Sequence, residues 1–181
     1  MLSIGIIWNS ANEFKDYILS DISEYGELLN AFDLILDDKY NEFVRDIYSG
    51  DAIDDWKIDK KIETMKKASD YKGVTVVVLN IDNTEQYYHE HKKRMVYANI
   101  DKLKSIIREK YSQLVSVYFF DNVFHLTDDE KEYEECAEIL SKYTDKELIP
   151  NQQVKVKKIL QKNKHWNLEL IYREELFVNY I

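Results

Sequence analysis

Val74-Thr75-Val76-Val77-Val78-Leu79-Asn80-Ile81 is an apolar, β-branched run too short for a typical helix and too continuous for a half-buried surface strand. It reads as a central strand covered on both faces, and the other elements are placed from it. Leu2 to Trp8 is a second short apolar run of the same kind. Ser10 can cap a helix in which Phe14, Tyr17, Ile18, Ile22 and Tyr25 share one face, and Gly26 ends it. Leu28 to Leu36 is a strand candidate with Phe32, Leu34 and Leu36 on one side and Ala31 and Ile35 on the other. Tyr40, Phe43, Val44, Ile47 and Tyr48 then recur at helical spacing up to Ser49-Gly50.

Between Asp51 and Lys72, Trp56, Ile58, Ile62 and Met65 mark an amphipathic helix in a charged stretch. A packed insertion is the favoured reading over a lid, which is the rarer use of a long connection. After the central strand, Ile100 to Tyr111 reads as a helix and Leu114 to His125 as a strand kinked near Asp121-Asn122. Asp128 to Tyr143 reads as an acidic helix capped by Thr127-Asp128. Four strands interleaved with helices, with no doubly wound pattern, fit an α+β fold. The expected form is a ferredoxin-like split β-α-β sandwich: a four-stranded antiparallel sheet with helices, plus a C-terminal extension.

The chain has 181 residues, of which 45% are apolar and 13% aromatic, enough for one sizeable core. A main domain over residues 1–145 is expected, with residues 146–181 as an extension or the start of a further domain. Pro150 and Asn151-Gln152-Gln153 mark the change. The segment with Trp166, Leu168, Leu170, Tyr172 and Leu176-Phe177-Val178 is too short to bury its own core. It should pack on the main domain or on a partner subunit, which leaves a homo-oligomer open. Apolar residues run to Ile181, as they would in a domain cut from a longer protein or in a docked terminal strand.

The net charge of −9 comes with no basic stripe, which argues against general nucleic-acid binding. No signal peptide precedes the first strand-like run, no stretch reaches membrane-spanning length, and the lone Cys136 cannot form an internal disulfide. These features fit a cytoplasmic location without membrane association.

The chemistry-bearing stretch is Asn122-Val123-Phe124-His125-Leu126-Thr127-Asp128, which holds a histidine between an apolar run and a helix start. Ile107-Arg108 lies upstream. The order Ile-Arg, then Asn-x-x-His-x-Thr-Asp, then an acidic helix resembles the active-site region of nucleoside diphosphate kinases, and the element order from Leu2 to Tyr143 is similar too. Val44-Arg45-Asp46-Ile47-Tyr48-Ser49-Gly50 looks like that family's Ser-Gly helix end. The resemblance implies a phosphotransferase acting on nucleoside di- and triphosphates, with magnesium (Mg2+) carried by the nucleotide. It implies His125 as the transiently phosphorylated nucleophile, with Arg108 and Arg94 on phosphate oxygens. Asn122 would contact the sugar or phosphate region, Glu135 or Glu138 would orient the imidazole, and Tyr40 would meet the nucleobase. A neutral imidazole in line with the γ-phosphate needs cations around it, and arginine suits that role because its planar fork makes paired contacts.

The chain departs from the family pattern at several points. Trp8-Asn9-Ser10 stands where the family has Lys-Pro-Asp, Leu126 replaces the glycine after the histidine, and residues 51–72 are extra. A non-catalytic nucleotide-binding or acidic protein-interaction domain of a larger protein is therefore the alternative.

The remaining candidates have plain explanations. His89-Glu90-His91 lacks partners at metal-ligand spacing, so a solvated loop is favoured and no metal site is expected. Lys92-Lys93-Arg94 reads as a wet helix start, and Asp51, Asp54 and Asp55 as charges complementing a helix dipole. Cys136, in an acidic helix, should have a raised thiol pKa. Taken by itself, His125 would be a buried histidine satisfied by a carbonyl; its neighbours in the motif give it the second reading.

Overall fold

The structure, a computed structural model, describes residues 1–51, 53–82, 85–90 and 93–149. His91, Lys92 and the segment from Pro150 to Ile181 lie outside the described residues. Six strands and five helices are described: β1 (Leu2–Ile7), α1 (Lys15–Ser23), β2 (Glu27–Ile35), α2 (Tyr40–Ile47), α3 (Asp55–Ala68), β3 (Gly73–Asn80), β4 (Gln86–His89), β5 (Arg94–Tyr97), α4 (Ala98–Ser112), β6 (Phe124–Leu126) and α5 (Glu130–Ser141). The main sheet runs β2-β3-β1-β6 with every neighbouring pair antiparallel. This is the ferredoxin-like α+β sandwich expected from the sequence, with β3 placed between β1 and β2.

Side-chain alternation divides the core into two layers. Ile4, Ile6 and Trp8 from β1 and its end, with Val74 and Val76 from β3, pack against α2, α3 and α5. Ile7, Val77, Leu79, Phe124 and Leu126 pack on the other side against α1 and α4. In α2, Phe43, Val44 and Ile47 are buried at helical spacing, each contributing about 1.5–3 kcal/mol over exposure. Gly5 lets β6 close on β1: a Cβ there would stand 2.9 Å from the Phe124 ring. The insertion helix α3 is packed, with Ile58, Ile62 and Met65 in the core and only Trp56 on the outside, 60% exposed.

The structure corrects four sequence expectations. The strand expected over 114–125 is only Phe124–Leu126, because Asn122 closes a loop on itself. Its Oδ1 accepts from Phe119 N–H at 3.1 Å and its Nδ2 donates to the Val117 carbonyl at 2.9 Å. Such side-chain bonds give the backbone an alternative to the ladder. Phe120 and Asp121 are both left-handed there, with φ of 45° and 53°. The helix expected from Asp128 begins at Glu130 and is capped by Asp129, whose carboxylate accepts from Glu132 N–H; Glu132 reaches back to Asp128 N–H. Ser10 caps no helix: its hydroxyl donates to the Asn122 carbonyl, and the chain enters α1 through a 3-10 turn over Asn9–Phe14. The hairpin of β4 and β5 was not foreseen; its Tyr88 and Met95 are cross-strand neighbours, both about half exposed.

The residues Met1–Ile149 form one compact unit. Asn30 Nδ2 donates to the carbonyls of Glu147 and Leu148, and Lys146 Nζ donates to the Asp33 carbonyl.

Candidate functional site

β6 pairs with β1 so that His125 sits opposite Ile6. Phe124 and Leu126 bury themselves in the α1/α4 layer, which turns His125 to the other face, toward α2 and α5. The strand is short but held at both ends. Trp8 N–H donates to the Val123 carbonyl at 3.1 Å, and Thr127 exchanges bonds with Ile4: Ile4 N–H donates to Thr127 Oγ1 and Thr127 N–H to the Ile4 carbonyl, both at 3.0 Å. Behind Leu126, Lys104 of α4 donates to its carbonyl at 3.3 Å and pairs with the Asp128 carboxylate, both side chains being less than 10% exposed.

His125 opens onto a cavity of about 380 Å³ walled by the end of α2 and by α5. Glu135 and Glu138 line it, as do Ser49, Gly50 and Thr127. Across the cavity, Glu135 Oε2 lies 3.6 Å from where a Cβ on Gly50 would stand. Asp51, Asp129, Glu132, Glu135 and Glu138 outnumber Lys131 and Lys142 on its walls, so its field is negative. Cys136 is also in the wall. It is buried, and burial first and Glu132 second push its thiol up to about 12, so it stays protonated near neutrality. Iodoacetamide at pH 8 should therefore leave Cys136 unmodified in the folded protein and alkylate it in urea. Equal rates in both conditions, read by mass spectrometry, would contradict this placement.

The other sequence candidates fall in different places. Arg108 reaches the histidine strand from α4: its Nε donates to the Phe124 carbonyl at 3.0 Å and its Nη1 pairs with Asp121 Oδ2 at 2.8 Å. It braces the strand from its edge and is not in the cavity wall. Asn122 is fully buried and its side chain is committed to the loop it closes, so a contact to a nucleotide sugar or phosphate is not what that side chain makes here. Tyr40 is a core residue rather than a surface ring for a base. It is 2% exposed, and its hydroxyl donates to Asn9 Oδ1 at 2.7 Å. Arg94 begins β5, paired in register with His89.

One functional candidate escaped the sequence reading. Lys61 of α3 is 0% exposed, yet it is a lysine. Its ammonium donates to Tyr48 Oη at 2.7 Å and to the carbonyls of Phe120 and Asp121 at 2.8 and 2.9 Å. It also lies 4.7 Å from the Tyr48 ring centroid, 5.0 Å from that of Trp8 and 5.7 Å from that of Phe120. Burial pulls its pKa well below the ordinary lysine value, with Asp121 opposing that shift and Arg108 adding to it. Burial likewise raises the Tyr48 phenol. The Tyr48 ring then meets His125 edge-on at 5.6 Å, which ties the buried ammonium to the candidate histidine through one aromatic side chain. The available sequence signal was position: Lys61 falls on the apolar stripe of Ile58, Ile62 and Met65.

These elements define an α+β sandwich with a histidine on an edge strand beside a carboxylate-rich cavity. No family model matches the chain, and no curated protein matches it in sequence. Among solved structures it is similar to the nucleoside diphosphate kinase of Aquifex aeolicus, with 13% identity, a TM-score of 0.46 and coverage of 77% of this chain and 93% of that one. It is similar also to the nucleoside diphosphate kinase of Borrelia burgdorferi with bound vanadate and ADP, with 15% identity, a TM-score of 0.48 and coverage of 83% and 90%. Among the described residues no cluster of three or more histidine, cysteine or acidic side chains is arranged to hold a metal ion. No described helix is long and apolar enough to cross a membrane.

Proposed function

We propose that this domain is a nucleoside diphosphate kinase-like phosphotransferase in which His125 accepts the terminal phosphoryl group of a nucleoside triphosphate. One imidazole nitrogen forms the N–P bond while the bond from the γ-phosphorus to the bridging oxygen breaks; the nucleoside diphosphate leaves with that electron pair. The phosphohistidine then passes its group to an acceptor. The observation that carries this reading is the half-buried His125 held on a clamped strand and lining a cavity that Glu135 and Glu138 of α5 also line. A carboxylate there can hold the imidazole in one tautomer and stabilise its charged form, the role such partners play for catalytic histidines generally.

Magnesium would arrive on the nucleotide, as it commonly does with phosphate ligands. When bound, it would neutralise phosphate charge in a cavity whose own walls are negative. Arg108 braces the strand that carries His125 through the Phe124 carbonyl.

The excess of carboxylates around the cavity favours a second reading, a non-catalytic acidic interaction domain. Incubation of the full chain with γ-labelled ATP and magnesium separates the two. The phosphotransfer reading expects an acid-labile, base-stable label on the wild type and none on His125→Ala. An unlabelled wild type that still binds nucleotide supports the second reading, and a label that survives His125→Ala contradicts the first.

A further inference from the structure

His125 lines its cavity on one side, and on the protein side it meets the Tyr48 ring edge-on, with 5.6 Å between ring centroids and 80° between ring planes. Tyr48 is buried and is not among the residues that line the cavity. Its own ring is held by three neighbours. Trp8 stacks on it at 6.0 Å and Phe120 lies tilted at 6.5 Å, while its hydroxyl oxygen accepts from the Lys61 ammonium at 2.7 Å. The other two protons of that ammonium go to the Phe120 and Asp121 carbonyls, in the loop that leads into the histidine strand. Lys61 Nζ therefore joins α3 to the end of α2 and to the approach to β6. The full set of three bonds needs the ammonium, because a neutral amine has only two protons to give. A ring fixed at both its face and its hydroxyl has little rotamer freedom, and a second ring packed against it inherits that restriction.

We propose that α3 sets the position of the His125 imidazole: Tyr48 is a positioning residue that walls the ring on the side away from the cavity, and Lys61 fixes Tyr48 through its hydroxyl. The purpose of this arrangement rests on the phosphotransfer reading, in which one imidazole nitrogen has to meet a phosphorus atom in line. Lys61 belongs to residues 51–72, the stretch that is extra to the family pattern, so an insertion acts on the reacting ring without touching substrate. The titratable and charged groups around Lys61 are Tyr48 and Asp51 at and after the end of α2, Asp121 in the loop with Tyr118 bonded to it, Arg108 of α4, and His125 beyond the Tyr48 ring. Burial holds the pKa of Lys61 well below the ordinary lysine value, with Asp121 and Asp51 opposing that shift and Arg108 adding to it. As pH rises through that lowered value, Lys61 loses one proton and with it one of its three bonds, which makes the coupling to His125 observable.

The chain has four histidines, so NMR titration of their ring carbons in the full chain gives a direct readout, with His125→Ala assigning the His125 signals. In the wild type these signals should show a second inflection, besides the imidazole's own, when Lys61 loses its proton. Tyr48→Phe keeps the ring without the hydroxyl and should abolish the second inflection, as should Lys61→Met. Tyr17→Phe, which alters an exposed tyrosine on α1, should retain it. The bare field of the Lys61 charge would still reach His125 in Tyr48→Phe, so a second inflection of wild-type size in that variant overturns the proposal. So does one that persists in Lys61→Met, or a wild type with the imidazole's own inflection alone. If Lys61→Met does not fold, Tyr48→Phe against Tyr17→Phe decides. In labelling with γ-labelled ATP, Tyr48→Phe should lower the rate at saturating ATP about three- to tenfold, less than the roughly hundredfold cost of a misplacement of about 1 Å, and leave the half-saturating ATP concentration unchanged. A saturated rate equal to that of wild type overturns the proposal. A wild type that is never labelled ends the phosphotransfer reading instead, and the NMR titration then decides on the coupling alone.

Discussion

Asp128→Ala should destabilise the domain by about 3–5 kcal/mol, the usual loss when one partner of a buried ion pair is removed. The Lys104 ammonium, which also donates to the Leu126 carbonyl at 3.3 Å, would then lose its buried carboxylate. The double variant Lys104→Met/Asp128→Leu should recover most of that stability, because it removes both desolvated charges at once. Urea denaturation of the two variants checks this, and a loss in Asp128→Ala below about 1 kcal/mol would place the pair in the class of weak surface bridges instead. The consequence reaches the site. Asp128 follows Thr127, which clamps β6 to β1, and its N–H is bound by Glu132 of α5, so loosening it loosens the wall and the strand of His125 together.

Trp8→Lys should be at least as damaging. Trp8 is fully buried, stacked on Tyr48 at 6.0 Å and edge-on to Phe43 at 6.3 Å. Truncating such a side chain already costs about 3–5 kcal/mol. A lysine would add a second ammonium close to Lys61, in a buried cluster of aromatic rings. Trp8→Phe keeps the apolar packing and should lose much less. Thermal melts of the two variants give the comparison, and a Trp8→Lys protein as stable as Trp8→Phe would show that Lys61 does not fill that region. Trp8 closes the first strand within the aromatic cluster around the Lys61 ammonium, which lies 5.0 Å from its ring centroid.

Much of the fold was legible because it rests on periodicity. Val74–Ile81 and Leu2–Trp8 had to be buried on both faces, and the helical stripes of α2, α3 and α4 survived with boundaries moved by a few residues. The strand before His125 was misread because Val115, Val117, Tyr118, Phe119 and Phe120 look like a strand by composition. Local hydrogen bonding of Asn122 and two left-handed residues override that propensity, and neither leaves a periodic trace. The β4–β5 hairpin lacked the Gly-rich turn that announces such an element.

At the site, His125 and the α5 glutamates line one cavity, and the glutamates had been singled out by the resemblance alone. Tyr40 was misplaced because an aromatic at the start of an amphipathic helix reads the same whether it faces a ligand or the core. Lys61 was invisible for a related reason: a lysine on an apolar stripe is ordinarily assumed to snorkel to water, and only the loop carbonyls reveal that it does not.

In the proposed phosphotransfer the reactive group is the imidazole of His125. Brief incubation with ATP and magnesium at neutral pH, digestion under conditions that preserve phosphohistidine, and tandem mass spectrometry of the peptide carrying residues 122–128 test it most directly. Phosphate on His125 is the expected result. Phosphate on another residue, or a wild-type peptide that remains unmodified when the protein is known to bind ATP, would contradict it.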